Sequence, residues 1–138
     1  MVDDAPPEYV VSFAVRVQDL VRTMGEISVS TVQAEFDFVI RAEPRDPVVS
    51  LAFNVLLNED HIIVESPQLG WWTFEWDVAD AAWQVVEQII VRGGIVYRRR
   101  GWTGVSELRD LDEHLISGQH HNGGSRLRAR RAVYLPYA

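Results

Sequence analysis

Apolar and polar residues alternate along much of this chain with a period of two, which is typical of strands that bury one face. The clearest run is Val32–Ile40, in which Glu35 and Asp37 fall on the polar side. Similar short runs predict four more strands: His61–Glu65, Trp71–Trp76, Ile95–Arg100 and Arg126–Leu135.

One further strand is predicted to be interior. Val48–Leu57 is apolar on both faces, which is typical of a central strand covered on both sides. The connections between the strands from Val48 to Trp76 are short, as in residues 58–60. Short connections indicate an antiparallel meander.

Other segments show helical spacing. The strongest helix prediction is Asp77–Arg92, with Asp77 as its N-cap and Gly93-Gly94 as its left-handed C-terminal cap. Its apolar stripe is Val78, Ala82, Val85, Val86 and Ile89. A shorter helix is predicted over Ser106–Ile116, with Val105, Leu108, Leu111 and Leu115 facing inward.

The first element has two interpretations. Apolar residues from Val10 to Met24 fall on one helical face, which favours a helix over Pro7–Met24. The alternation from Val11 to Val17 leaves open a strand followed by a helix.

These elements predict one α+β domain over residues 1–138. It has an antiparallel sheet of about five to six strands, a long helix (Asp77 to Arg92) packed on one face, and an N-terminal helix. Residues 1–6 and 117–125 are expected to be flexible. A chain of 138 residues with 47% hydrophobic residues is enough for a single core.

The composition excludes several chemistries. The chain has no cysteine and no lysine, so thiolate nucleophiles, disulfides, Schiff bases and the P-loop lysine are absent. No GxSxG, HExxH or GxGxxG motif occurs. The carboxylate pair Glu35 and Asp37 has the spacing of an acid–base pair, but a solvent-facing strand explains it equally well. We therefore expect no enzyme activity and no cofactor.

No metal site is predicted either. His114, His120 and His121 lie near Asp110, Asp112 and Glu113 in the sequence. His120 and His121 are adjacent in a glycine-flanked loop, so their rings point apart and suit a solvated loop better than a coordination sphere.

Charge is distributed unevenly within the net −7. Residues 1–91 carry 16 acidic side chains and four arginines, a net charge of −12. Residues 92–138 carry nine arginines and four acidic side chains, a net charge of +5. Either the basic segment packs against the acidic one, or the surface is bipolar and orients a charged partner.

The five tryptophans are the strongest functional signal. Trp71 and Glu75 share one face of their predicted strand, and Trp72 and Trp76 share the other. One face is thus free to meet a partner while the other enters the core. A large aromatic core is the alternative. Tryptophan and arginine are the residue types that anchor protein interfaces.

The sequence therefore predicts a non-catalytic protein-binding module, similar to an immunity, adaptor or chaperone-like protein, that engages a basic partner. A structural subunit of a larger assembly, such as a phage neck or tail, is the alternative. Binding of nucleic acid by the C-terminal arginines is a second one, which the net acidity disfavours. The candidate contact residues are Glu35, Asp37, Trp71, Glu75, Arg98, Arg100, Trp102, Arg128 and Arg130.

The N-terminal residues are acidic and lack the features of a signal peptide, and no apolar stretch reaches 18 residues. We expect a location in the cytoplasm of the producing cell, or in the virion if a phage encodes the chain.

Overall fold

The computed structural model describes residues 5–24, 26–30, 36–46, 48–66, 70–99, 107–117 and 129–137. Over these residues the protein is α+β, with two α-helices and nine strands in two antiparallel sheets. The helices are α1 (Glu8–Met24) and α2 (Ala79–Glu87); the strands are β1 (Glu26–Ser30), β2 (Phe38–Glu43), β3 (Phe53–Leu57), β4 (His61–Ser66), β5 (Gly70–Glu75), β6 (Gly94–Arg99), β7 (Glu107–Arg109), β8 (Leu115–Ser117) and β9 (Ala129–Tyr134).

The strands form two sheets where the sequence predicts one sheet of five to six strands. The first sheet has the order β1-β2-β3-β4-β5, and the second has the order β8-β7-β6-β9. Sequential hairpins build the first sheet, which confirms the antiparallel meander. The second sheet breaks that order, because β9 pairs with β6.

Helix α1 begins directly after Pro7, whose carbonyl accepts hydrogen bonds from the backbone N–H groups of Val10 and Val11. Its buried residues recur every three or four positions and so share one face: Val10, Phe13, Ala14, Val17 and Val21. The helical interpretation of Pro7–Met24 is confirmed. The strand alternative is wrong, because Val11 and Val15 are exposed where that alternation would bury them.

Strand β3 lies at the centre of the five-stranded sheet, between β2 and β4. The interior position predicted for Val48–Leu57 is confirmed, but the strand itself is shorter. Residues 48–50 form a turn in which Asp46 accepts hydrogen bonds from the N–H groups of Val48 and Ser50.

Strand β2 is confirmed only in part. The predicted strand Val32–Ile40 and the described strand share residues 38–40, and β2 continues to Glu43. Residues 31–35, which include Glu35, lie outside the described residues. Strand β1 was not predicted from the sequence, and it pairs with β2 along its whole length.

The second helical segment runs from Trp76 to Arg92 and changes pitch twice. A 3₁₀ turn (Trp76–Val78) leads into α2, and a π-helical turn (Gln88–Arg92) follows it. The prediction of Asp77 as N-cap is wrong, since Asp77 lies inside the 3₁₀ turn and no side chain caps either start. Val78, predicted to be buried, is exposed.

Gly93 ends this segment as predicted, with a φ of 72°. A Cβ atom at this position would lie 2.5 Å from the carbonyl oxygen of Tyr134. Both the backbone angle and the close approach of β9 therefore require glycine.

The helix predicted over Ser106–Ile116 is wrong. Strands β7 and β8 form a hairpin there, joined by a turn over residues 110–114. Leu111 and Leu115, predicted to face inward, are exposed, whereas Leu108 is buried. The spacings of three and four between these leucines match a helix, but the hydrogen bonds that Asp110 accepts in the turn stabilise a hairpin instead.

One cluster of buried side chains joins α1, the second helical segment and both sheets. Its members from the five-stranded sheet are Ile40, Ala42, Phe53, Val55, Leu57, Ile62, Val64 and Trp72. Tyr137, after β9, lies in the same cluster and donates a hydrogen bond to the carbonyl of Leu51 at 2.5 Å. The C-terminal residues thus tie the second sheet to the first.

Candidate protein-binding surface

The five-stranded sheet has a second face, which points away from the buried cluster and which we call the outer face. Its residues from β2 to β5 are Val39, Arg41, Glu43, Asn54, Leu56, His61, Ile63, Glu65, Trp71, Thr73 and Glu75. The register places Val39, Leu56, Ile63 and Thr73 in one row across the sheet, and Arg41, Asn54, Glu65 and Trp71 in the next. An apolar row therefore lies beside a polar row that ends in a tryptophan.

Trp71 and Trp72 divide β5 between the two faces. Trp72 is 3% exposed and belongs to the buried cluster, whereas Trp71 is 46% exposed on the outer face. The strand faces predicted from the sequence are confirmed here. An indole this exposed leaves apolar surface in water, which association with another molecule would remove.

Carboxylates dominate the charge of the outer face. Glu65 lies directly across from Trp71, and the exposed Glu75 lies across from His61. Glu43 forms an ion pair with Arg41 at 2.6 Å. Three carboxylates and one arginine give this face a net charge of −2 with His61 neutral.

Asp37, another predicted contact residue, lies immediately before β2. Its backbone N–H donates to the carbonyl of Leu57 at 2.8 Å, and the residue is half-buried. The structure therefore places Asp37 next to the sheet that carries Trp71 and Glu75.

Strand β5 also lies at an edge in the strand order of this sheet. Edge strands carry backbone N–H and C=O groups that can pair with another chain. Trp71 is thus both an exposed aromatic residue and part of an edge strand.

Two of the predicted arginines belong to strands of the other sheet. Arg98 on β6 and Arg130 on β9 are register partners in the four-stranded sheet. Their strands therefore belong to a different sheet from β4 and β5, which carry Glu65 and Glu75. Glu35, Arg100, Trp102 and Arg128 lie outside the described residues.

The four-stranded sheet carries an ion-pair cluster of its own. The hydroxyl of Tyr97 lies 2.9 and 2.8 Å from the two carboxylate oxygens of Glu113, and Arg131 contacts the same carboxylate at 3.3 Å. The hydrogen bond from Tyr97, followed by Arg131, lowers the pKa of Glu113. Arg109 is buried, pairs with Glu107, and donates to the carbonyl of Glu113 at 2.5 Å. These contacts tie the β7–β8 turn to the sheet.

Asp110 organises the same turn. Its Oδ1 accepts hydrogen bonds from the backbone N–H groups of Asp112 and His114 at 2.9 and 2.8 Å. Its Oδ2 lies 3.0 Å from Nδ1 of His114. The backbone N–H of His114 is the largest cause that lowers the pKa of Asp110.

Donor atoms of Asp110, Asp112 and His114 lie within 4.8 Å of one another. Within the described ranges, these three residues are the cluster with the spacing to bind a metal ion. Since the Asp110 carboxylate already closes the turn, the geometry has a structural explanation without an ion. His120 and His121 fall outside those ranges.

An aromatic groove lies where the N-terminal half of α1 meets the 3₁₀ turn. It has a volume of about 720 Å³, and six of its lining residues are Glu8, Tyr9, Ser12, Phe13, Arg16 and Trp76. The ring of Trp76 packs edge-to-face against Tyr9 at 4.9 Å and against Phe13 at 5.6 Å. We call this feature the aromatic groove.

Sequence reasoning missed the aromatic groove. Tyr9, Phe13 and Arg16 recur at intervals of four and three in α1, which places them along one side of the helix. The spacing was available in the sequence, but only Phe13 was assigned a place, on the buried face of the predicted helix. Trp76 is 60 residues or more away in sequence, so its contact with them depends on the tertiary fold.

Comparison with known proteins adds no functional information: no family model matches the chain, and no curated protein or solved structure is significantly similar to it. Among the described helices, none is both long enough and apolar enough to cross a membrane.

Proposed function

We propose that this protein is a non-catalytic protein-binding module, acting as immunity, adaptor or chaperone-like proteins do, and that its outer face engages a basic partner protein. The observation that carries this proposal is the exposure of Trp71. Its neighbour Trp72 is buried in the core, whereas Trp71 is 46% exposed on the outer face.

The outer face has the composition of an interface. A small apolar row, formed by the buried Leu56 between the half-buried Val39 and Ile63, is bordered by charged and polar side chains. Interfaces commonly have an apolar centre, a polar rim and a few aromatic anchors. Trp71, at the end of the polar row, is suited to be such an anchor.

Charge supports the choice of a basic partner. Glu43, Glu65 and Glu75 lie on this face, and the whole chain carries a net charge of −7. A field of one sign steers oppositely charged molecules and repels like-charged ones. Nucleic acid, being anionic, is therefore disfavoured as the ligand of this face.

The test is capture of the partner from the native host, followed by binding measurements with the purified partner. Trp71→Ala should weaken binding about thirtyfold, because truncation of an aromatic anchor costs about 2 kcal/mol. Val133→Ala is the matched control, since Val133 is similarly exposed on the other sheet. Equal affinity of Trp71→Ala and wild type for the partner would contradict the assignment of the outer face.

Salt dependence tests the electrostatic part. Between about 0.05 and 0.5 M salt the Debye length falls from roughly 14 to 4 Å. The association rate constant should fall over this range, while the dissociation rate changes less. A rate independent of salt would contradict a basic partner.

The edge position of β5 favours one second candidate, a structural subunit that assembles with copies of itself. Pairing of β5 edges would extend the sheet and bury Trp71 without any other protein. Sedimentation analysis separates the two functions. Concentration-dependent oligomers that Trp71→Ala dissociates would favour the assembly subunit, and a stable monomer would favour the binding module.

A further inference from the structure

The aromatic groove has the features of a receptor for a cationic side chain. Tyr9 is 49% exposed beside the half-buried Trp76, so aromatic surface is open to a ligand. The face of an aromatic ring attracts a cation, and the attraction is strongest for tryptophan. A volume of about 720 Å³ lies within the range of sites that enclose small ligands.

The chain already shows this chemistry next to the groove. The guanidinium carbon of Arg16 lies 3.9 Å from the ring centroid of Trp83. Trp83 in turn packs edge-to-face against Phe13, which also contacts Trp76. The same aromatic cluster therefore holds one guanidinium on Trp83 and presents Trp76 in the groove.

Acidic residues lie in the groove lining and on the neighbouring β3–β4 turn. Glu8 lines it directly. The β3–β4 turn, with the exposed Glu59 and Asp60, is held beside it, because Tyr9 donates to the carbonyl of Glu59 at 2.9 Å. Trp76 secures the same turn through a hydrogen bond from its Nε1 to the carbonyl of Asn58 at 2.8 Å.

Two further acidic residues, Asp77 and Asp80, are exposed in the segment that follows Trp76. Among the lining residues the cation is Arg16, and its guanidinium lies against the ring of Trp83. The surroundings of the groove therefore favour a positively charged ligand over a negative one.

We infer that the aromatic groove binds an arginine side chain of a basic partner segment, with the guanidinium against the Trp76 and Tyr9 rings and in reach of the Glu8 carboxylate. Arginine suits the site better than lysine because its planar guanidinium stacks on aromatic faces and pairs with carboxylates. This inference takes the basic partner from the proposed function, but it places a second contact at a different surface.

The test uses a peptide probe, acetyl-Gly-Arg-Gly-Arg-Gly-amide, and the indole N–H resonances of the full chain. We expect saturable shifts of the Trp76 and Trp83 signals. The same peptide with citrulline in place of arginine, which lacks the charge, should produce no saturable shift. Shifts confined to Trp71 would support binding of basic segments at the outer face and overturn the groove assignment.

Two substitutions in the lining should act in opposite directions. Glu8→Gln should raise the dissociation constant for the peptide about fivefold, because a surface ion pair is lost. Arg16→Gln should lower it about twofold, because a like charge leaves the site. Asp19→Asn is the matched control: it removes the same charge from an exposed position of α1 outside the groove lining and should leave affinity unchanged.

Equal effects of Glu8→Gln and Asp19→Asn would show only a general attraction to an acidic protein, and would overturn the inference. So would tighter binding by Glu8→Gln with weaker binding by Arg16→Gln, which is the pattern of an anion site. Since the probe is a free peptide, none of these outcomes depends on whether the outer face binds a partner.

Discussion

Trp71 and Trp72 are sequence neighbours on β5 that lie in opposite environments, the first 46% exposed and the second 3% exposed. The period of two along a strand sends their side chains to opposite faces of the sheet. Their roles in stability and in binding should therefore separate cleanly.

Trp72→Ala should lower the free energy of unfolding by about 3–5 kcal/mol, the usual cost of truncating a large buried aromatic residue. Trp71→Ala should change it by less than about 0.5 kcal/mol, as most surface substitutions do. Chemical denaturation of both variants measures the difference. Comparable losses in the two variants would mean that Trp71 is packed as tightly as Trp72.

The sequence pattern predicted these strand faces because each buried residue of β5 has an exposed neighbour. It also predicted α1, where the buried residues from Val10 to Val21 keep the helical period. In both cases local periodicity and burial agree. These parts of the fold could therefore be derived without tertiary information.

The β7–β8 hairpin could not be derived in this way. Leu108, Leu111 and Leu115 have helical spacing, but the structure buries only the first of the three. The hairpin depends on the hydrogen bonds of Asp110 and on Glu113, which has a φ of 70°. Nothing in the spacing of apolar residues reports such turn chemistry.

The division into two sheets was also beyond the sequence. Strand β9 returns to pair with β6, whose register partners lie 30 to 40 residues earlier, and period-two patterns do not specify partners. The aromatic groove fails for the same reason, since Tyr9 and Trp76 meet only in the folded chain. The sequence therefore predicted the exposed residues of β5, which depend on local alternation, and missed the aromatic groove, which depends on contacts between distant segments.

Asp110 should matter more to stability than its neighbour Asp112. Asp110→Ala removes the acceptor of two backbone N–H groups in the β7–β8 turn, and should cost about 1 kcal/mol of unfolding free energy. Asp112→Ala removes the same charge from an exposed position and serves as the control. Thermal or chemical unfolding of both variants is the measurement, and equal losses would show that the turn does not depend on Asp110.

The pKa of Glu113 should depend on Tyr97. The Tyr97 hydroxyl is the largest cause that lowers this pKa, so Tyr97→Phe should raise it toward the usual glutamate value. Carboxyl-carbon NMR during an acid titration reports the change. Arg16→Gln is the control: Arg16 lies in α1 and is not among the groups that shift the Glu113 pKa, so this variant should leave the Glu113 titration unaltered.

The sign of the linked stability follows from the direction of this shift. A carboxylate with a lowered pKa stabilises the fold above its ordinary pKa, and this contribution is lost as pH falls through the lowered value. As pH falls, the free energy of unfolding of the wild type should therefore begin to decrease near the ordinary glutamate pKa, which is a higher pH than the one at which Glu113 titrates in the folded chain. An unchanged Glu113 pKa in Tyr97→Phe would contradict the hydrogen bond as the cause.

Tyr137 should make the fold sensitive to alkaline pH. Burial, with a smaller effect of Glu43, raises the pKa of its phenol well above the usual value of about 10. Above about pH 10 the unfolded chain can release this proton while the folded chain retains it. The free energy of unfolding should then fall with pH, with a slope that approaches about 1.4 kcal/mol per pH unit from this one group.

Tyr137→Phe isolates that contribution. The variant loses the hydrogen bond to the carbonyl of Leu51, so at pH 7 it should be less stable by about 1–2 kcal/mol. Between about pH 10 and 11.5 the wild-type curve should fall toward that of the variant, because only the wild type carries a buried phenol at this position. Urea denaturation across this range measures both curves. Curves that stay parallel would show that Tyr137 ionises as readily in the folded chain as in the unfolded one.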